Sequence, residues 1–166
     1  MKPGDHPEFF RWPAPEGRSR ESSIRLDRRG RFWHEGELVL HPGMKRAFFR
    51  WIDRHPDDGR FILQNGYDWT YIEVEDVPFF IRALRPEGEQ IVVVLSDDSE
   101  EVLDPASVGT GDDDTLYARV KGGRFEARFT QEAQAGLVPF VVETPDGGFG
   151  LEVGGRLHVI GRRRPI

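Results

Sequence analysis

Five acidic side chains surround one aromatic segment, and they are the first residues whose types and spacing could do chemistry. They are Asp57, Asp58, Glu73, Glu75 and Asp76. If they converged in the folded chain, such carboxylates could hold a divalent cation or act as a general acid and base. Both clusters, however, adjoin turn signals, "DDG" before the segment and Pro78 after it. We therefore interpret them as independent, solvated residues at the two ends of a β-hairpin.

The aromatic segment itself has the pattern of that hairpin. A short strand over residues 60–64 precedes Asn65–Gly66, a dipeptide typical of tight turns in which both central residues have positive φ. Alternation then places Tyr67, Trp69 and Tyr71 on one face of the next strand. We expect this face to pack under a helix that carries Phe48 and Trp51. Stacking on bases or gripping a peptide is the alternative.

No other set of residues forms a coherent catalytic constellation. The chain has no cysteine, no serine in a Gly-x-Ser-x-Gly turn, and no pair of histidines at helical i, i+4 spacing. These absences disfavour an enzyme, and we expect no catalytic residue, no metal ligand and no cofactor. A metal-dependent hydrolase that uses His34 with Glu75, Asp76 or Asp58 remains the alternative from a different class.

Composition and charge narrow the partners. The 166 residues carry a formal net charge of −6. Residues 61–166 hold 10 Lys and Arg against 19 Asp and Glu, which disfavours nucleic acid as a partner. A weak nucleic-acid contact remains an alternative, through the basic helix face and the C-terminal arginines (Lys45, Arg46, Arg50, Arg54 and Arg162, Arg163, Arg164). The chain has neither a long apolar run nor a signal-like start, which predicts a cytoplasmic protein without membrane contact.

The elements that must position these residues predict an α+β fold. Residues 1–22, with four prolines, are expected to form a flexible arm that is ordered only if Phe9, Phe10 or Trp12 docks. One amphipathic helix is predicted over residues 42–55. Its apolar stripe, which should be buried, consists of Met44, Ala47, Phe48, Trp51, Ile52 and His55.

The remainder of the chain has the pattern of antiparallel β-structure. A small meander with a turn at Glu35–Gly36 precedes the helix, and strands separated by Gly- and Asp-rich turns follow Pro78. A short helix is predicted after Thr130, a suitable N-cap. We place an N-terminal α+β half at residues 23–82 and a β-rich half at residues 83–166.

The segment from Ser23 to Arg82 resembles the proteobacterial family catalogued as domain of unknown function twelve eighty-five. The similarity lies in the order and spacing of a Gly-containing turn, a Trp-x-x-Gly segment, a short helix, a "DG-aromatic-x-L" strand and a "V-E-D" segment ending in Pro-Phe. In this chain they correspond to Gly30, Trp33, Gly36, Met44–Ile52, Asp58–Leu63 and Val74–Phe79.

The resemblance implies two similar small halves that share a cleft, with the second half similar to a pleckstrin-homology domain. It also implies a regulatory or signalling role without enzymatic activity. Our first hypothesis is therefore a non-enzymatic regulator that binds a protein or a small molecule between the two halves. The predicted cleft-lining residues are Trp33, His34, Trp69, Glu75 and Asp76.

Overall fold

The computed structural model describes all residues from Met1 to Ile166, which form two compact units, Met1–Asp76 and Val77–Ile166. The strands are mostly antiparallel and helices are few, which confirms the α+β class. The two units divide between Asp76 and Val77. The residues from Val77 onward are buried and lead into a strand of the second unit. Residues 1–22 belong to the first unit. No helix is long and apolar enough to span a membrane.

The first unit contains one helix and two small sheets. Its elements are β1 (Arg25–Leu26), β2 (Phe32–His34), β3 (Glu37–Leu38), α1 (Pro42–Trp51), β4 (Ile52–Arg54), β5 (Phe61–Gln64), β6 (Trp69–Tyr71) and β7 (Glu73–Val74). One sheet has the order β3-β2-β1-β7, with β1 and β7 parallel, and the other is the antiparallel meander β4-β5-β6. The predicted turn between β2 and β3 is confirmed, since Glu35 and Gly36 both have positive φ.

Helix α1 is shorter than predicted. It begins at Pro42, where Nδ1 of His41 accepts a hydrogen bond from the amide of Met44, and it ends at Trp51. The predicted end near residue 55 is wrong because Ile52 leaves helical geometry and pairs with Leu63 in β4. Pairing with a neighbouring strand thus overrides a pattern that remains helical in period.

The buried face of α1 also differs from the predicted stripe. Phe49, which lies outside that stripe, is buried, and its ring lies 4.7 Å from the ring of Phe32 in β2. Phe48 packs against the same ring at 5.2 Å. Met44 was expected in the core and is 47% exposed. The helix therefore packs through the residues that reach Phe32.

The hairpin between β5 and β6 is confirmed, with a longer turn than predicted. Gln64 pairs with Trp69, so four residues form the loop. Gly66 has a φ of 86°, whereas Asn65 lies outside the positive-φ region. The side chain of Asn65 instead accepts hydrogen bonds from the amides of Tyr67 and Asp68, each at 2.9 Å. This local capping of backbone amides replaces the tight two-residue turn.

The N-terminal arm docks on the aromatic face of this hairpin. Phe9 is 3% exposed and forms a cluster with Ile62 and Trp69, against which Phe10 and Tyr71 pack. The amide of Gly4 donates to the carbonyl of Gly66 at 2.7 Å, and a Cβ on Gly4 would lie 2.9 Å from the Gly66 Cα. The arm, and not Phe48 and Trp51 of the helix, therefore packs on the aromatic face of the hairpin. Since Phe9 docks there, the condition under which the arm was expected to be ordered is met.

The second unit is built mainly from antiparallel strands. Its elements are β8 (Phe79–Glu87), β9 (Gln90–Leu95), β10 (Glu100–Val102), β11 (Gly109–Thr110), β12 (Leu116–Val120), β13 (Phe125–Phe129), α2 (Gln131–Gly136), β14 (Val141–Glu143), β15 (Phe149–Val153), β16 (Arg156–Val159) and β17 (Gly161–Arg162). The larger sheet has the order β10-β9-β8-β13-β12-β11-β17, with β8–β13 and β11–β17 parallel. The smaller sheet has the order β14-β15-β16.

Apolar side chains on one face of the larger sheet form the core of this unit. The largest fully buried ones include Ile81, Val93, Leu95, Val120 and Phe129. The predicted short helix is confirmed as α2, because the Thr130 hydroxyl accepts a hydrogen bond from the amide of Ala133 at 3.2 Å. Helix α2 lies next to β8 and β13 and contributes Ala133 to the core.

Candidate functional site

The acidic residues before the hairpin are held by specific partners. Arg11 donates to both oxygens of Asp57, at 2.9 and 3.2 Å, and the Tyr71 hydroxyl donates to Asp58 at 2.6 Å. The hydrogen bond from Arg11 lowers the pKa of Asp57, and the one from Tyr71 lowers the pKa of Asp58. Burial, followed by the bond to Asp58, raises the pKa of Tyr71. Both aspartates are exposed, as expected for solvated carboxylates, but the expected independence is wrong, because Arg11 of the arm binds Asp57 and Tyr71 of β6 binds Asp58.

His55 lies beside these acids, and both of its ring nitrogens are occupied. Its Nδ1 accepts from the amide of Asp57 at 3.1 Å, and its Nε2 lies 3.0 Å from the carbonyl oxygen of Phe10. Since an amide can only donate and a carbonyl can only accept, these contacts match the tautomer that carries its proton on Nε2. The buried ring also packs against Trp69 at 4.9 Å. His55 is thus a structural histidine of the arm-docking face.

Two of the predicted cleft residues, Trp33 and Glu75, contact the loop between β1 and β2. Nε1 of Trp33 donates to the buried carboxylate of Asp27 at 2.9 Å, and the amide of Arg28 donates to Glu75 at 2.8 Å. Asp27 also accepts from the Arg31 side chain and from the amides of Arg29 and Arg31. Burial raises the pKa of Asp27, but these hydrogen bonds outweigh burial and hold the pKa below its ordinary value.

The other three predicted residues have different surroundings. His34 is exposed at the end of β2, opposite Glu37, and Asp76 is half-buried at the end of the first unit. Trp69 is buried in the other sheet of this unit, under Phe9 and Phe10. An open groove of about 380 Å³, lined by Arg25, Glu73, Val74 and Glu75, includes only one of the five.

The structure brings no three His, Asp or Glu side chains together in an arrangement that could hold a metal ion. The hydrolase hypothesis requires such a set around His34. His34 lies in the sheet β3-β2-β1-β7, whereas Asp58 follows β4 of the other sheet and bonds to Tyr71.

A cleft in the second unit is rich in arginine. It encloses about 510 Å³, a volume typical of small-molecule sites. One wall is the turn from Asp104 to Val108, and the other is the C-terminal segment around β17. The lining residues are Asp104, Ala106, Ser107, Val108, Ala118, Arg119, Glu126, Val159, Gly161, Arg162, Arg163 and Arg164.

A nearly buried ion pair supports this cleft from below. Arg163 donates two hydrogen bonds to Glu126, at 2.6 and 2.9 Å, and its guanidinium lies 3.8 Å from the centre of the Tyr117 ring. The strand register explains this arrangement. Arg119 on β12 pairs directly with Glu126 on β13, and Gly109 on β11 pairs with Tyr117 on β12. A Cβ on Gly109 would lie 2.8 Å from the Arg163 backbone, so glycine permits this close approach.

Three further arginines line the cleft, and not all of their donors are occupied. Arg119 donates to the carbonyl of Arg164 at 3.1 Å through one Nη, which leaves its other donors free. The exposed Arg162 lies 3.5 Å from Asp112, and the exposed Arg164 makes no side-chain hydrogen bond or ion pair. The lining carries four arginines and two carboxylates, one of which is neutralised by Arg163.

The charge of the cleft is opposite to that of the unit that carries it. The second unit holds 10 Lys and Arg against 15 Asp and Glu, a net charge of −5. The sequence identifies Arg162–Arg164 as basic, but it places them in a tail and gives no role to Arg119 or Glu126. Alternation along an extended segment is the signal that could have separated the half-buried Arg163 from its exposed neighbours.

The chain is thus an α+β protein of two compact units with an arginine-lined cleft, and two solved structures share its fold. A DUF1285 family protein from Silicibacter pomeroyi DSS-3 superposes with a TM-score of 0.67 at 20% identity, covering 91% of each chain. A DUF1285 family protein from Shewanella baltica OS155 superposes with a TM-score of 0.57 at 18% identity, covering 73% of this chain and 94% of the other. No family model and no curated protein matches the sequence. The fold is that of DUF1285, domain of unknown function twelve eighty-five, which confirms the sequence resemblance at the level of fold.

Proposed function

We propose that this protein is a non-enzymatic regulator that binds an anionic ligand in the arginine-lined cleft of its second unit. The observation that carries the proposal is the set of four arginines that line the cleft, of which only Arg163 is paired with Glu126. Because the unit is acidic overall, this local excess of positive charge is not a general property of its surface.

The chemistry of the lining favours phosphate or carboxylate groups. A guanidinium presents a planar fork of donors that matches the two oxygens of these anions, and such charge-assisted hydrogen bonds are stronger than neutral ones. Nε and one Nη of Arg163 donate hydrogen bonds to Glu126. This ion pair holds the Arg163 side chain in place, so its role in the cleft is structural. Arg162 and Arg164 are the groups with the most donors to offer.

The same lining supports binding in preference to catalysis. No histidine lines the cleft, and the Ser107 hydroxyl donates to the carbonyl of Asp104 at 2.8 Å. Asp104 accepts from the amide of Ala106 at 3.1 Å as the cap of its turn. A nucleophile with an adjacent base, which covalent catalysis requires, is therefore not provided by these residues.

Calorimetric titration with pyrophosphate at low ionic strength tests the proposal. We expect saturable binding that weakens at least about tenfold in the double variant Arg162→Gln/Arg164→Gln, since each charge-assisted hydrogen bond contributes roughly 1.5–3 kcal/mol. Arg156→Gln is the matched control, because Arg156 is an exposed arginine of the same unit outside the cleft.

Equal affinities in the wild type and the double variant, or no binding at low salt, would contradict the proposal. A single-stranded oligonucleotide that binds more tightly than pyrophosphate, with a steep salt dependence, would instead favour the weak nucleic-acid function.

A further inference from the structure

The arginine-lined cleft continues into an exposed apolar strip on strand β16. Val159 lines the cleft and is 65% exposed, and Leu157, two residues earlier on the same face, is 50% exposed. These two side chains form a small apolar surface that adjoins the cleft.

Strand pairing extends the strip across the smaller sheet. Val159 pairs with Gly150 on β15, and Gly150 pairs on its other side with the half-buried Val142 of β14. Directly paired residues lie on the same face of a sheet, so Val142, Leu157 and Val159 share one surface. The only charged residue paired into this surface is Glu152, opposite Leu157.

We propose that the ligand of the cleft is an amphiphilic anion, with a phosphate or carboxylate head group at Arg162 and Arg164 and an alkyl chain along Val159 and Leu157. This inference rests on the proposed anion-binding function and adds the chemical class of the ligand. Charge complementarity places the head group, and the continuity of Val159 with both surfaces determines the direction of the chain.

A series of alkyl phosphates of increasing chain length, titrated below their micelle concentrations, tests the inference. Each methylene that leaves water strengthens binding by at most about fourfold, so we expect octyl phosphate to bind at least about tenfold more tightly than methyl phosphate. Octyl glucoside, which has the same chain and no charge, should bind much more weakly than octyl phosphate.

Two variants separate the head group from the chain. Leu157→Ser, at a residue outside the cleft, should lower the gain from octyl phosphate and leave the affinity for methyl phosphate unchanged, and adding Val159→Ser should remove most of the gain. Val138→Ser is the matched control, because Val138 is equally exposed at 65% and does not line the cleft. Arg162→Gln/Arg164→Gln should weaken both phosphates.

The outcomes distinguish this inference from the function on which it rests. If methyl phosphate binds through the arginines and octyl phosphate binds less than about threefold more tightly, the proposed alkyl-chain site is wrong and the proposed anion site is retained. If neither phosphate binds, both are wrong. If octyl phosphate binds as expected, vesicles identify the source of the head group. Co-sedimentation with phosphatidic acid vesicles but not with phosphatidylcholine vesicles would assign it to a bilayer, and binding of octyl phosphate without co-sedimentation would assign it to a soluble amphiphile.

Discussion

Arg163 and Glu126 form a nearly buried ion pair, with side-chain exposures of 20% and 9% and two hydrogen bonds of 2.6 and 2.9 Å. The pair joins the C-terminal segment to β13 beneath the cleft. Its carboxylate would be costly to bury alone, so each residue explains the position of the other.

Removal of one partner should therefore destabilise the second unit. We expect Glu126→Ala to reduce the free energy of unfolding by about 3 kcal/mol, because it leaves a half-buried guanidinium with fewer partners. Urea unfolding at neutral pH measures the loss. The double variant Glu126→Leu/Arg163→Met should recover most of it, and Glu152→Gln, at an exposed glutamate of the same unit, serves as the control. Equal stability of Glu126→Ala and the wild type would contradict the role of the pair.

The buried carboxylate of Asp27 should make the first unit sensitive to acid. Its folded-state pKa lies below the unfolded value of about 3.9, so its stabilisation is fully present above about pH 4 and is lost as the pH falls through the folded-state pKa. Asp27→Asn cannot accept all four hydrogen bonds and should cost about 2 kcal/mol at pH 7.

Unfolding monitored by tryptophan fluorescence at pH 7, 5 and 3 checks this dependence. The difference between the wild type and Asp27→Asn should be constant between pH 7 and 5 and should shrink at pH 3. Glu37→Gln, which changes an exposed carboxylate of the same unit, provides the control. A difference that grows as the pH falls would show that the sign is wrong.

Docking of the arm should depend on Phe9 far more than on Trp12. Phe9 is buried against Ile62 and Trp69, whereas Trp12 is partly exposed. We expect Phe9→Ala to lower the unfolding free energy by about 3–4 kcal/mol and Trp12→Ala to lower it by less than about 1 kcal/mol. Limited proteolysis within residues 1–22 should accelerate in Phe9→Ala. If the two variants behave alike, the arm is not held by this cluster.

The hairpin loop should tolerate the loss of charge better than the loss of Gly66. A β-carbon at its φ of 86° costs about 1–2 kcal/mol, and it would lie 3.3 Å from Cδ of Lys2 in the arm. Asp57→Asn/Asp58→Asn removes only exposed partners of Arg11 and Tyr71. Thermal unfolding of both variants should therefore rank Gly66→Val as the less stable protein, and the reverse order would show that the acidic pair matters more than the loop.

Patterns that act over a few residues were readable from the sequence. Alternation and turn residues predicted the hairpin, the β-rich second unit and the α+β class, and Thr130 predicted the start of α2. These features depend on local backbone preferences and on a side-chain period, which the order of residues determines directly.

Tertiary structure decided which surfaces cover these elements. Helix α1 ends early because Ile52 pairs with Leu63, and the aromatic face of the hairpin is covered by Phe9 of the arm. Both contacts join segments that no periodic pattern relates. The candidate cleft has the same origin, because the parallel pairing of β11 with β17 brings Arg163 to Glu126, 37 residues away in sequence. A sequence pattern carries no register between distant strands, so the sequence identified only Arg162, Arg163 and Arg164 as basic, and the fold brought them together with Arg119 and Glu126.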